Sequence, residues 1–133
     1  ISPTLAIFEY QAGKGPVDQI KINGFDKMMK LTAKLQKAGA RIVVGSHSMV
    51  PHAEKGWAYQ REMELFVDSG ISNSDVIKAA TMENARFFRI DKELGSIEKG
   101  KIADLILVKG NPLDDIKVMR NVEKVMINGL FIK

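Results

Sequence analysis

Cysteine is absent from this chain of 133 residues. That absence removes disulfide frameworks, thiolate metal sites and cysteine nucleophiles together, and it leaves the redox compartment open. Aromatic residues are only 7% of the total, with one Trp and two Tyr. None interleaves with lysines as a base-stacking platform for nucleic acid requires. Histidine occurs twice, at His47 and His52. A catalytic zinc site needs about three protein ligands, so histidines alone cannot build one here. No apolar run approaches the roughly 20 residues of a membrane-spanning helix. The first residues carry no signal-peptide pattern. The expectation is a cytoplasmic globular protein without a membrane partner. Two catalytic signatures are missing as well. Gly13-Lys14-Gly15 lacks the spacing of a phosphate loop, and no G-x-S-x-G elbow surrounds Ser46 or Ser48.

What is present belongs to a folded protein. Hydrophobic residues make up 45% and charged residues 27%, far from a disordered composition. The length suits one domain, or two small lobes sharing a core. A balance of 20 basic against 16 acidic residues permits contact with polyanions without requiring it. Residue 1 is Ile, which suggests a chain cut from something longer.

Along the chain, Ile1–Tyr10 alternates bulky residues after Pro3 and predicts a short strand running into a loop. Residues 11–24 read as an irregular connection. Asn23 then predicts a helix N-cap, and Phe25, Met28, Met29, Thr32 and Leu35 form one apolar face. Gly39 falls where a left-handed C-cap belongs. Arg41–Gly45 follows as a short strand buried on both faces, the kind that parallel sheets produce. Helix, glycine stop and buried strand together make one unit of an α/β fold. A polar loop over Ser46–Lys55 leads to a helix over Gln60–Val67. Ser72-Asn73-Ser74-Asp75 is a capping box that predicts a third helix of about 16 residues. Val76, Ile77, Ala80, Phe87 and Phe88 are its apolar face, and Ala79-Ala80 would let another element approach closely. After Asp91 the period changes from 3.6 to 2. Strands are predicted at Ile102–Val108, Val122–Ile127 and Leu130–Lys133, with Asn128-Gly129 as a hairpin turn. The lobe boundary is placed near Asp91.

In α/β folds, catalytic groups gather at the carboxyl ends of parallel strands. His47 sits in that position, and His52 lies further along the same loop. Both read equally well as surface histidines on position alone. Glu54 or Glu62 could add a carboxylate to a metal site, though nothing in the sequence fixes the geometry. Lys27, Lys30, Lys34 and Lys37 form a basic stripe on one helix face. It reads first as a solvated face, and secondarily as a surface for nucleic acid or an acidic partner.

Several segments add up to a family likeness. They are Gly45-Ser46-His47-Ser48, Pro51-His52, Arg61–Leu65 leading to Gly70, and Ala79-Ala80-Thr81 with Asn84-Ala85. Leu94–Lys101 joined to Ala103-Asp104-Leu105, Asn111-Pro112-Leu113 and Asn128-Gly129 complete the set. In this order the chain resembles the carboxyl-terminal part of a metal-dependent amidohydrolase, in the imidazolonepropionase-like and prolidase-like branch. The resemblance implies an α/β fold in two parts. Residues 1–91 would end a TIM (β/α)₈ barrel, and residues 92–133 would supply strands of a small composite β-sandwich. It implies hydrolysis of an amide or other C–N bond in a small or dipeptide-like substrate by a metal-bound hydroxide.

It also implies Zn in the complete protein, with none expected on this chain alone. The partner would be the missing amino-terminal part of the barrel, or a second copy. His47 stands where the family usually has an Asp. It becomes the candidate catalytic residue and candidate metal ligand, with Ser48 and His52 as candidate substrate-binding residues. Two other readings remain open: a non-catalytic remnant or partner-binding module, and nucleic-acid binding through the lysine stripe.

Overall fold

The computed structural model describes residues 1–53 and 56–132. Leu5 and Ala6 are shut off from solvent, and they open a helix, α1 (Leu5–Gly13). The expected strand over Ile1–Tyr10 is therefore wrong. The helix has no local cap: Thr4 lies in left-handed backbone at φ 51° and makes no side-chain bond to the first turn. The N–H groups of Leu5 and Ala6 donate instead to Oε1 and Oε2 of Glu62, at 2.6 and 2.8 Å. A carboxylate 57 residues along the chain satisfies donors that a helix start otherwise leaves orphaned.

The second helix, α2 (Gln19–Lys37), begins five residues before the Gly24 expected after an Asn23 cap. Its cap is Asp18, whose carboxylate accepts from the N–H groups of Ile20 and Lys21. The irregular connection shrinks accordingly, and Gly24 lies inside the helix. The apolar face is as read: Thr32 is buried, and Phe25, Met28, Met29 and Leu35 pack against the core. Gly39 ends the helix at φ 85°, the left-handed stop that a Cβ disfavours.

Helix α3 (Ala58–Asp68) carries the buried Met63, Leu65 and Phe66. The single helix expected after Ser72 is two, α4 (Asn73–Ala80) and α5 (Met82–Phe88), broken at Thr81. Ser72 Oγ accepts from the Asp75 N–H at 3.2 Å, as a cap should. The break has a physical cause. The carbonyls of Ala79 and Ala80 are taken by tertiary donors, the Val44 N–H and the Tyr59 hydroxyl. Thr81 Oγ1 meanwhile bonds back to the Ile77 carbonyl. The turn takes α5 off the register of α4, so Phe87 and Phe88 are exposed and not on a buried face.

Ile42, Val43 and Val44 are buried to 4%, 4% and 3% exposure, yet Arg41–Gly45 joins no sheet. Val43 N–H donates to the Ile1 carbonyl at 2.9 Å and Val44 N–H to the Ala79 carbonyl at 3.2 Å. The Ile1 ammonium donates to the Arg41 carbonyl. The segment's donors go to separate elements, so no ladder forms.

The carboxyl-terminal strands are antiparallel, in the order β1 (Leu105–Val108), β2 (Val122–Ile127) and β3 (Leu130–Phe131). Leu105 pairs with Met126, and a bulge falls between Leu107 and Val108. β1 starts three residues later than read, and Lys133 lies outside the described residues. Asn128 and Gly129 are both left-handed, at φ 49° and 77°, as a two-residue hairpin turn needs. A 3₁₀ helix over Ile116–Arg120, not anticipated, buries Ile116. The core joins Leu5, Val44, Val50, Met63, Phe66, Val76 and Ile116. The sheet adds nothing to it. Ile106 and Leu107, which point to opposite faces, are both about half exposed.

Candidate functional site

The loop bearing His47 springs from a peptide clamped on both sides. Val44 N–H is held by Ala79, and the Val44 carbonyl accepts from Asn84 Nδ2 at 2.9 Å. The same amide donates to the Tyr59 hydroxyl at 2.7 Å, which donates onward to the Ala80 carbonyl. Burial pushes the Tyr59 phenol up to about 12, against the opposing pull of its Asn84 hydrogen bond. The hydroxyl therefore stays a donor at neutral pH. Next along the chain, a Cβ on Gly45 would lie 2.6 Å from Ser2 Oγ, so any side chain there would have to turn the Ser2 hydroxyl aside. The sequence suggested the close approach at Ala79-Ala80. It gave no sign of the Tyr59–Asn84 link.

His47 is half-buried between the exposed Ser46 and Ser48. Its Nδ1 accepts from the Met49 N–H at 3.1 Å. His52 belongs to a 3₁₀ turn over Pro51–Ala53, but its side chain lies outside the described residues, as does the whole of Glu54. Glu62 is not available as a ligand. It is fully buried and committed to the start of α1. Burial pushes its carboxyl up to about 7. The Ala6 and Leu5 N–H bonds pull it down, and the charge of Glu9 adds to the rise.

Among the described residues, no three His, Asp, Glu or Cys side chains come together to hold a metal. The donor set does not fit a zinc ion either. It offers one imidazole, whose Nδ1 is already engaged by a backbone N–H, whereas a ligating histidine donates from its other nitrogen.

A second cluster was missed by sequence reasoning, although Arg61 and Glu64 stand at helical i,i+3 spacing. Arg61 forms a two-pronged pair with Glu9, at 2.5 and 3.0 Å, and reaches Glu64 at 2.8 Å. These carboxylates hold its guanidinium far above the usual range. Arg120 also bonds Glu64 and lies over the Trp57 ring, 5.4 Å from its centre. With Tyr10, Val50 and Pro51, Arg61 and Arg120 line a cavity of about 470 Å³ beside the His47 loop. A more apolar cleft of about 570 Å³, lined by Phe88, Ile97 and Ile106, separates α5 from β1. Lys27, Lys30, Lys34 and Lys37 are exposed, and Lys30 pairs with Asp26 at 2.6 Å. No described helix is long and apolar enough to cross a membrane.

The sequence profile of the amidohydrolase family matches residues 13–132. This chain belongs to the amidohydrolase family. Its relatives within that family point the same way as the motifs. Imidazolonepropionase from Picrophilus torridus is 44% identical over 68 residues, covering 47% of this chain and 16% of that enzyme. An adenine deaminase from Clostridium botulinum is 38% identical over 63 residues, or 47% of this chain and 10% of its own. Among solved structures, an Xaa-Pro dipeptidase with methionine in its active site matches at 32% identity and a TM-score of 0.85. The match covers 99% of this chain and 34% of that one. An amidohydrolase from Thermotoga maritima matches 79% of this chain and 26% of its own, at 30% identity and a TM-score of 0.64. The chain thus spans about a third of the length of the Xaa-Pro dipeptidase, and a smaller part of the curated enzymes. Its mixed α/β architecture aligns with part of amidohydrolase structures.

Proposed function

We propose that this chain is the carboxyl-terminal part of a metal-dependent amidohydrolase that cleaves an amide or other C–N bond in a small or dipeptide-like substrate. The observation that carries the reading is the match to the Xaa-Pro dipeptidase, which takes in 99% of this chain but only 34% of that one. On this reading residues 1–91 end a (β/α)₈ barrel, and Arg41–Gly45 is its last strand. The strand's backbone groups would find their ladder in the remainder of the barrel. Residues 92–133 contribute to a composite β-sandwich.

Exposed apolar side chains support a covering partner. Phe87, Phe88, Ile97, Leu107, Leu130 and Phe131 are each more than half exposed, and apolar surface of this kind suits an interface. The occupant proposed is the amino-terminal part of the same protein, with a second copy as the alternative. In the complete assembly, residues outside this chain would hold zinc, which would supply a hydroxide nucleophile near neutral pH. The residues of this chain border the centre. The Asn84–Tyr59 clamp fixes the turn from which His47 projects, and Ser48 lies exposed beside it.

The test is made on the longest reading frame that contains this chain. The purified protein should hydrolyse Xaa-Pro dipeptides or related amides, lose that activity to a chelator, and regain it with Zn²⁺. Inertness towards a broad panel of amides, with or without added metal, would favour a non-catalytic module instead.

A further inference from the structure

The Met49 amide fixes which nitrogen of His47 carries the proton. A backbone N–H can only donate, and it lies 3.1 Å from Nδ1. A proton on Nδ1 would set two hydrogens against each other across that gap. The neutral ring holds one proton, so it resides on Nε2. The ring is half-buried and sits between two exposed serines. Among the described residues nothing accepts from Nε2. A metal ligand needs a free lone pair on the coordinating nitrogen; here the Nδ1 lone pair is taken by the Met49 N–H, and Nε2 carries the proton.

We infer that His47 serves as a neutral hydrogen-bond donor, presenting Nε2–H to an acceptor oxygen of the substrate, and does not bind the metal. In this role the imidazole contributes no negative charge where the family usually has an Asp. It polarises or anchors a carbonyl or carboxylate oxygen, as donors aimed at a developing oxyanion do. What the ring meets rests on the function proposed above. The tautomer belongs to this chain alone.

The experiment uses the ¹⁵N-labelled chain at mildly alkaline pH. Long-range proton–nitrogen correlation should show a pyridine-like Nδ1 and a pyrrole-like Nε2 on His47. A histidine side chain free in water already leans to that tautomer, so hydrogen exchange at Met49 is the discriminating measurement. The Met49 amide should exchange about five-fold more slowly than in His47→Ala, as expected for a hydrogen bond of ordinary strength. His47→Gln is the second reference should the alanine variant fail to fold. Equimolar Zn²⁺ should leave both ring resonances unmoved. A proton on Nδ1, an unprotected Met49 amide, or a stoichiometric Zn²⁺ shift at Nε2 would each overturn the inference. Failure of the hydrolysis assay would leave all three readouts intact, so the two claims fail separately.

Discussion

Replacing Glu62 by Gln sets two opposing forces against each other. Burial favours the neutral carboxyl, while the N–H groups of Leu5 and Ala6 favour the anion. Burial is the larger cause, and the group sits at about 7 against an ordinary 4.5. A carboxyl raised on folding binds more protons in the native state between those values, so stability falls as pH rises through that window. Applied to 7 and 4.5, linkage gives a loss of about 2.5 kcal/mol between pH 5 and pH 8 from this one group. Glu62→Gln removes that slope. It also turns one N–H acceptor into a donor, costing about 1–3 kcal/mol for a buried group left unpaired. Urea unfolding of both proteins at pH 5 and pH 8 isolates the effect, because all other titrations cancel in the difference. The wild type should lose about 2.5 kcal/mol more than the variant over that range. If the wild type instead holds or gains stability relative to Glu62→Gln, the helix N-terminus outweighs burial and the carboxylate is ionised at neutral pH.

Asn84→Ala should cost about 1–3 kcal/mol, since it strands the Val44 carbonyl and takes away the donor to the Tyr59 hydroxyl. Unfolding curves together with faster exchange at the Val44 amide would show it. Gly95→Ala should lower stability by about 2 kcal/mol in thermal melts, because its Cβ would lie 2.6 Å from that of Ala85 at φ 95°. Gly100→Ala, at φ 94° with open space around it, should cost only about 1 kcal/mol and serves as the control. The exposed apolar surface over α5 and the sheet predicts self-association of the isolated chain, measured by sedimentation velocity. A monodisperse monomer with a cooperative melt would contradict it.

Elements specified by neighbouring residues were legible in the sequence. The apolar face of α2, the left-handed stop at Gly39, the Ser72 cap and the Asn128-Gly129 turn each depend on a few adjacent positions. Elements specified across the chain were not. α1 takes its cap from Glu62, so alternating bulky residues passed for a strand. The break at Thr81 exists because Val44 and Tyr59 claim the carbonyls of Ala79 and Ala80. The buried run Ile42–Val44 was legible by its composition, but its hydrogen-bond partners were not. The site divides the same way. His47 followed from its place after that run, whereas the Met49 bond that sets its proton, and the Tyr59–Asn84 clamp, are tertiary.

The central claim is that His47 acts on substrate at the reacting centre of a metal-dependent amidohydrolase. Turnover and bound metal of His47→Ala, measured together on the longest reading frame containing this chain, test it most directly. The account predicts a fall in turnover of about 10²-fold or more, the lower end of what a positioned proton-handling or donor group contributes, with metal content unchanged. Wild-type turnover in the variant would return His47 to an ordinary loop histidine. Loss of the metal would make it a ligand after all.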